Sequence, residues 1–63
     1  MEEINIYDIL HEYLSKQKHE VNIIKIHMDT SISIQDLVRV LKFMEKNNEL
    51  VNKDDFDSII LIK

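Results

Sequence analysis

The sequence contains no cysteine, no glycine and no proline. Without cysteine the chain can form neither a disulfide nor a thiolate zinc site, so a reducing compartment is favoured and we expect the cytoplasm. No apolar run approaches the roughly 18 residues that a membrane helix needs. The N-terminal residues Met1-Glu2-Glu3 also lack the positive charge of a signal peptide. We therefore expect neither export nor membrane insertion.

What remains is a chain of 63 residues, of which 44% are hydrophobic and 32% are charged. A chain this short buries only about 60% of the surface of its unfolded form, so we expect one domain over residues 1–63. The net charge of −4 gives an unfavourable overall field for a polyanion. Residues 1–31 hold six acids and three lysines, whereas residues 32–63 hold six acids and five bases. Most of the net negative charge therefore lies in the N-terminal half, and the positive and negative charges of the C-terminal half nearly cancel.

Glycine and proline, which usually mark turns, are both absent. The ends of helices and strands must therefore be predicted from Asn, Asp and Ser caps and from changes in hydrophobic spacing. The first helix is predicted from about Ile6 to Gln17, with Asn5 as its cap. The segment from Val21 to Met28 fits either a short helix capped by Asn22 or a strand. Hydrophobic spacing alone does not separate these two alternatives.

The third helix is the clearest element. It begins at Ser33-Ile34-Gln35-Asp36, which resembles a capping box, and runs to about Asn47. Asn47-Asn48 is the expected stop, because asparagine often replaces glycine in the left-handed conformation that ends a helix. The spacing then changes to that of two strands, Glu49–Lys53 and Ser58–Lys63, around a turn at 54–57. The sequence thus predicts three helices followed by a β-hairpin.

This order of elements resembles a winged helix-turn-helix domain, and the spacing from Ile26 to Val51 resembles that family's core. Ile26 stands at the apolar anchor of the motif's first helix and Ile32 at the hydrophobe of its turn. The second helix packs back through Leu37 and either Val40 or Leu41. The resemblance implies an α+β fold, with three helices and a C-terminal β-hairpin wing.

The chain departs from the family pattern at two places. Ser31 stands where a glycine often makes the turn. The wing tip carries Asp54, Asp55 and Asp57, where DNA-reading wings often carry arginine or lysine. An acidic tip argues against a minor-groove contact by the wing, because its carboxylates would face phosphates.

The third helix divides into two opposite faces. Leu37, Leu41 and Met44 fall on one stripe, with Val40 and Ile34 on its flanks, and are predicted to be core. The opposite line contains four polar residues and no acid: Gln35, Arg39, Lys42 and Lys46. Such a line suits the major groove, because arginine can bind guanine, glutamine can read adenine and lysine neutralises phosphate. The alternative is an ordinary solvated face of a lysine-rich helix.

The same helix carries candidate residues for a protein interface. Ile34 and Val38 either form a small apolar edge suited to a protein partner or pack beneath the wing. Phe43 either meets the first helix or lies exposed as an interface anchor. Tyr7, Tyr13 and His27 are predicted to lie at the edge of the core.

Catalytic and metal sites are not expected. His11-Glu12 lacks the second histidine four residues on that a helical zinc site requires, and the four-residue turn cannot supply the oxygen ligands that calcium needs. The sequence offers no nucleophile with a recognisable base and no glycine-rich phosphate loop. We expect no enzyme activity and no cofactor.

The leading functional prediction is a DNA-binding regulator of transcription that reads duplex DNA with its third helix. We expect a homodimer, because one small module makes few phosphate contacts. The alternative, which the net acidity favours, is a protein-interaction module. It would serve as an accessory subunit of a replication or transcription enzyme, or as a phage or mobile-element protein that binds a host factor.

Overall fold

The computed structural model describes residues 5–62 of the chain. Its elements, in order, are α1 (Ile6–Ser15), α2 (Ile23–Thr30), α3 (Ile34–Lys46), β1 (Leu50–Lys53) and β2 (Ser58–Leu61). β1 and β2 pair antiparallel, with Leu50 opposite Leu61 and Lys53 opposite Ser58. The predicted α+β order of three helices and a C-terminal hairpin is therefore confirmed. None of the helices in the described part of the chain is long and apolar enough to cross a membrane.

Each helix begins at a polar side chain that the sequence provides. The side chains of Asn5, Asn22 and Ser33 each accept a hydrogen bond from the backbone amide three residues later. These bonds satisfy amide groups that the first turn of a helix leaves without partners. The cap at Asn22 makes the segment after Val21 a helix, which decides between the two alternatives left open by the sequence.

Three predicted ends differ from the structure. α1 ends at Ser15 and not at Gln17, because the amides of Lys16 and Gln17 bond to carbonyls three residues back, in the tighter geometry of a closing turn. β1 begins at Leu50 and not at Glu49, and β2 ends at Leu61. Lys63, the last residue of the predicted second strand, and the N-terminal residues Met1-Glu2-Glu3 lie outside the described residues.

Val21 adds a third chain segment to the hairpin. Its amide and carbonyl both bond to Ile59 of β2, at N···O distances of 3.0 and 2.7 Å. Two residues further on, the amide of Ile23 donates to the carbonyl of Phe56 in the hairpin turn, at 3.0 Å. The turn of the hairpin is therefore bound to the start of α2.

The core draws side chains from all five elements. The buried hydrophobic residues are Leu10, Leu14, Val21, Ile26, Leu37, Leu41, Met44, Leu50, Ile59 and Leu61. The three that α3 contributes are fully buried, so its predicted apolar stripe is confirmed. Among residues 5–62, no polar or charged residue is buried. The core is therefore held by apolar packing.

A polar contact joins α1 to α2 outside this core. The hydroxyl of Tyr13 donates to a carboxylate oxygen of Asp29 at 2.6 Å, and Nζ of Lys25 lies 3.1 Å from the same oxygen. Partial burial and the bond to Asp29 raise the pKa of Tyr13 to about 12. The hydrogen bonds from Tyr13 and Lys25 lower the pKa of Asp29. Tyr13 therefore lies at the core edge, as predicted, with its hydroxyl bonded to a neighbouring helix.

We expect Tyr13→Phe to lower the free energy of unfolding by an amount that depends on pH. A carboxyl with a lowered pKa stabilises the fold above its ordinary pKa, and a phenol with a raised pKa stabilises it below its ordinary pKa. The contribution is therefore complete between pH 3.8 and pH 10.0. Urea denaturation of both proteins should show a stability difference that is largest near neutral pH and shrinks as the pH falls below 3.8. A difference that stays constant into acid would contradict the assigned hydrogen bond.

Candidate functional site

α3 presents its polar line to solvent. The four side chains that the sequence places opposite the core are all exposed: Gln35, Arg39, Lys42 and Lys46. They recur at spacings of three or four residues, so they follow one side of the helix over a length of about 16 Å. The opposite side of the same helix is fully buried at Leu37, Leu41 and Met44. The core therefore fixes the direction in which the polar line points.

Two hydrogen bonds from or to neighbouring side chains hold the turn between α2 and α3. Ser31 takes the left-handed conformation with φ of 64°, where the winged-helix pattern often has glycine. Nδ1 of His27 donates to the carbonyl of Ile32 at 2.6 Å, and the amide of Ile32 donates to Oγ1 of Thr30 at 3.3 Å. His27 is half-buried, as predicted for a core-edge residue. A network of local bonds thus keeps a serine in a conformation that favours glycine.

Ser31→Gly should stabilise the protein by about 1 kcal/mol, because glycine avoids the steric cost of the left-handed conformation. The matched control is Ser33→Gly, two residues along, where φ is −62° and the side chain caps α3. That change should destabilise the protein by a few tenths of a kcal/mol. Denaturant midpoints of both variants test the prediction. Destabilisation by Ser31→Gly would mean that the turn has another conformation.

The cations of the polar line differ in their partners. An NH₂ nitrogen of Arg39 lies 2.9 Å from a carboxylate oxygen of Asp36, one turn earlier on α3. The Arg39 side chain is 73% exposed, and such exposed pairs contribute only about 0.2 to 1 kcal/mol. Lys42 and Lys46 make no ion pair with any residue that the structure describes. Lys42 and Lys46 are therefore cations without an ion pair, and Arg39 can leave its weak pair with Asp36 to bind another anion.

Apolar side chains flank the polar line. Ile34 and Val38 are half-buried, and Ile34 packs against the core. Phe43 is 55% exposed, yet its ring also contacts that of Tyr7 edge-on, with centroids 6.1 Å apart at 84°. Phe43 therefore meets α1, as the first alternative predicted, while its side chain remains accessible; its role as an interface anchor stays a prediction.

The C-terminal end of α3 is fixed to α1 and to the hairpin. Asn48 takes the left-handed conformation with φ of 61°, in agreement with the predicted stop. The hydroxyl of Tyr7 donates to the carboxylate of the next residue, Glu49, and this bond raises the pKa of Tyr7. The carbonyl of Glu49 also accepts from the amide of Ile62 at 2.9 Å. No local sequence signal indicated the Tyr7–Glu49 bond, because the two residues are 42 positions apart.

The turn of the hairpin is compact and acidic. Asp54, Asp55 and Phe56 all have positive φ, at 55°, 57° and 71°. The amide of Phe56 donates to Oδ1 of Asn52 at 2.8 Å, and the Phe56 ring packs against the core. The carboxylates of Asp54 and Asp55 are exposed. The turn therefore lies back against the body of the protein and presents negative charge.

The outer face of α3 is the surface best suited to a binding role. Within residues 5–62, no group of three or more histidine, cysteine or acidic side chains is placed to hold a metal ion. Three helices followed by an antiparallel hairpin form a layout that is compatible with a winged helix. No family model, curated protein or solved structure matches the chain. A function for the protein must therefore be inferred from the chemistry of this surface.

Proposed function

We propose that the protein is a non-catalytic DNA-binding protein of the winged helix-turn-helix type, whose α3 enters the major groove of duplex DNA. The observation that carries this proposal is the exposed line of Gln35, Arg39, Lys42 and Lys46, opposite a fully buried stripe. Its role is to regulate transcription in the cytoplasm, a compartment that suits a chain without cysteine.

The position of each residue along α3 supports a particular role in this proposal. In helix-turn-helix proteins the N-terminal part of the recognition helix contacts the base edges. Gln35 and Arg39 occupy that part of α3 and have side chains that can bind adenine and guanine through two hydrogen bonds. Lys42 and Lys46 follow toward the C-terminus, where their ammonium groups neutralise phosphates. The exposed acids of the hairpin turn take no part in this interface.

The charge of the protein limits the affinity of this interface. Three cations at the interface give a slope of about −3 for log K against log salt concentration. The net charge of −4 opposes the approach to a polyanion. We therefore expect weak, salt-dependent binding by one copy of the domain.

Arg39→Glu should weaken duplex binding at least about tenfold, because it removes a base contact and places a carboxylate against the DNA. The measurement is fluorescence anisotropy of a labelled mixed-sequence duplex, titrated at about 50 and about 200 mM salt. Lys18→Glu is the matched control, since it makes the same change in net charge on an exposed residue outside α3. It should leave the affinity within about twofold of that of the unaltered protein.

The same titration includes Asp36→Asn, which removes the carboxylate paired with Arg39. It should strengthen duplex binding about threefold, because it frees the guanidinium and removes a negative charge beside the polar line. Equal losses in Arg39→Glu and Lys18→Glu would show that binding depends only on net charge. No binding by the unaltered protein up to about 100 μM at about 50 mM salt would contradict the proposed function.

A second candidate function is a protein-interaction module, and the exposure of Phe43 favours it. A large aromatic side chain that is 55% exposed is a typical anchor at a protein interface, and the half-buried Val38 is on the same helix. The protein would then be an accessory subunit of a replication or transcription enzyme, or a mobile-element protein that binds a host factor. Phe43→Ser discriminates between the two, since it should abolish binding to such a partner and leave duplex binding unchanged.

A further inference from the structure

α2 carries two of the most exposed apolar side chains among the described residues. Met28 is 73% exposed and Ile24 is 55% exposed. They are four residues apart, so they lie next to each other on the same side of the helix, one turn apart. Ile26 of the same helix is fully buried in the core. α2 therefore has a core-facing side and an outward apolar side that stays more than half exposed in the described part of the chain.

Two opposite charges flank this apolar pair on one side of α2. Lys25 and Asp29 follow Ile24 and Met28 by one residue each, so both charges lie along the same flank. Their nitrogen and oxygen are 3.1 Å apart, and both side chains remain substantially exposed. The carboxylate of Asp29 is ionised at neutral pH, since its ordinary pKa of 3.8 lies far below 7 and the hydrogen bonds from Tyr13 and Lys25 lower it further. The flank thus has a positive end toward the start of α2 and a negative end toward its close.

A second copy of the same surface has matching charges in one orientation only. When two α2 helices face each other across a two-fold axis perpendicular to them, they run antiparallel and the charged flanks lie on the same side. Lys25 of one copy then lies opposite Asp29 of the second copy, and the reverse pairing forms by symmetry. The outward apolar residues meet at the centre. In a parallel two-fold arrangement the charged flanks would instead lie on opposite sides of the helix pair, so neither charge would meet a partner.

We propose that this surface of α2, formed by Ile24, Lys25, Met28 and Asp29, is a homodimer interface in which two copies pack antiparallel. The charge pattern favours a second copy of the chain as the partner, because the surface is complementary to itself in this orientation. The inference is independent of the proposed function, since the surface shares no residue with the polar line of α3.

The size of the surface sets the expected affinity. A helix of eight residues is about 12 Å long. The area that one side of such a helix can bury is smaller than the roughly 800 Å² that each partner buries in an interface of standard size. We therefore expect a weak dimer in rapid exchange, with a Kd above about 10 μM.

The first test is sedimentation velocity of the full chain from about 10 μM to about 1 mM, which spans the expected Kd. The unaltered protein should change from monomer to dimer over this range. Met28→Asp should remain monomeric, because it places a carboxylate at the centre of the interface. Ile62→Asp is the control, as it makes the same kind of change at an exposed apolar residue outside α2 and should dimerise normally. A monomer at every concentration, or a dimer that Met28→Asp leaves intact, overturns the proposal.

The second test uses charge reversal to distinguish this interface from general adhesion. Lys25→Glu makes the flank wholly acidic, and Asp29→Lys makes it wholly basic, so each variant alone should lose self-association. A mixture of the two should form a heterodimer, because the acidic flank of one meets the basic flank of the other. Circular dichroism confirms that each variant is folded, and this matters most for Asp29→Lys, which loses its bond from Tyr13. A mixture that stays monomeric while the unaltered protein dimerises overturns the antiparallel arrangement.

Discussion

Burial of the inner stripe of α3 is the constraint on which the remaining structure depends. Leu37, Leu41 and Met44 are fully buried, and α3 packs against α1, α2 and β1. A rotation of α3 about its axis would expose this stripe, at a cost of about 1.5 to 3 kcal/mol for each large apolar side chain brought into water. The outward polar line therefore needs no support of its own, because the core on the opposite side sets its direction.

The sequence predicted those features that depend on neighbouring residues. The stripe of α3, its cap at Ser33 and its stop at Asn48 all follow from the spacing or conformational preference of nearby residues. The bridge between Val21 and Ile59 was missed, because a single paired residue has no period. The bond between Tyr7 and Glu49 was missed because it joins distant positions and leaves no local pattern. The acidity of the hairpin turn was evident because it depends on adjacent residues. The bond between the turn and the start of α2 was missed because it joins distant positions.

The two proposed surfaces address one physical difficulty. If α3 binds DNA as proposed, a single copy with three cations on an acidic protein would make too few phosphate contacts for tight binding. Two copies joined through α2 would present two polar lines, and the second line would then bind at a high effective concentration. This gain requires that both lines reach the same duplex, so a weak dimer in solution should become stronger on DNA. Residues of α2 that touch no base would thereby influence affinity for DNA.

The most direct test of the central claim is to map the DNA contact on the protein by NMR. The uniformly ¹⁵N-labelled protein would be titrated with an unlabelled mixed-sequence duplex of about two helical turns, at low salt. The account predicts that shift changes concentrate on the polar line of α3, at Gln35, Arg39, Lys42 and Lys46, and that Asp54 and Asp55 of the hairpin turn change little. Changes centred on the hairpin turn, or none at saturating duplex, would contradict it.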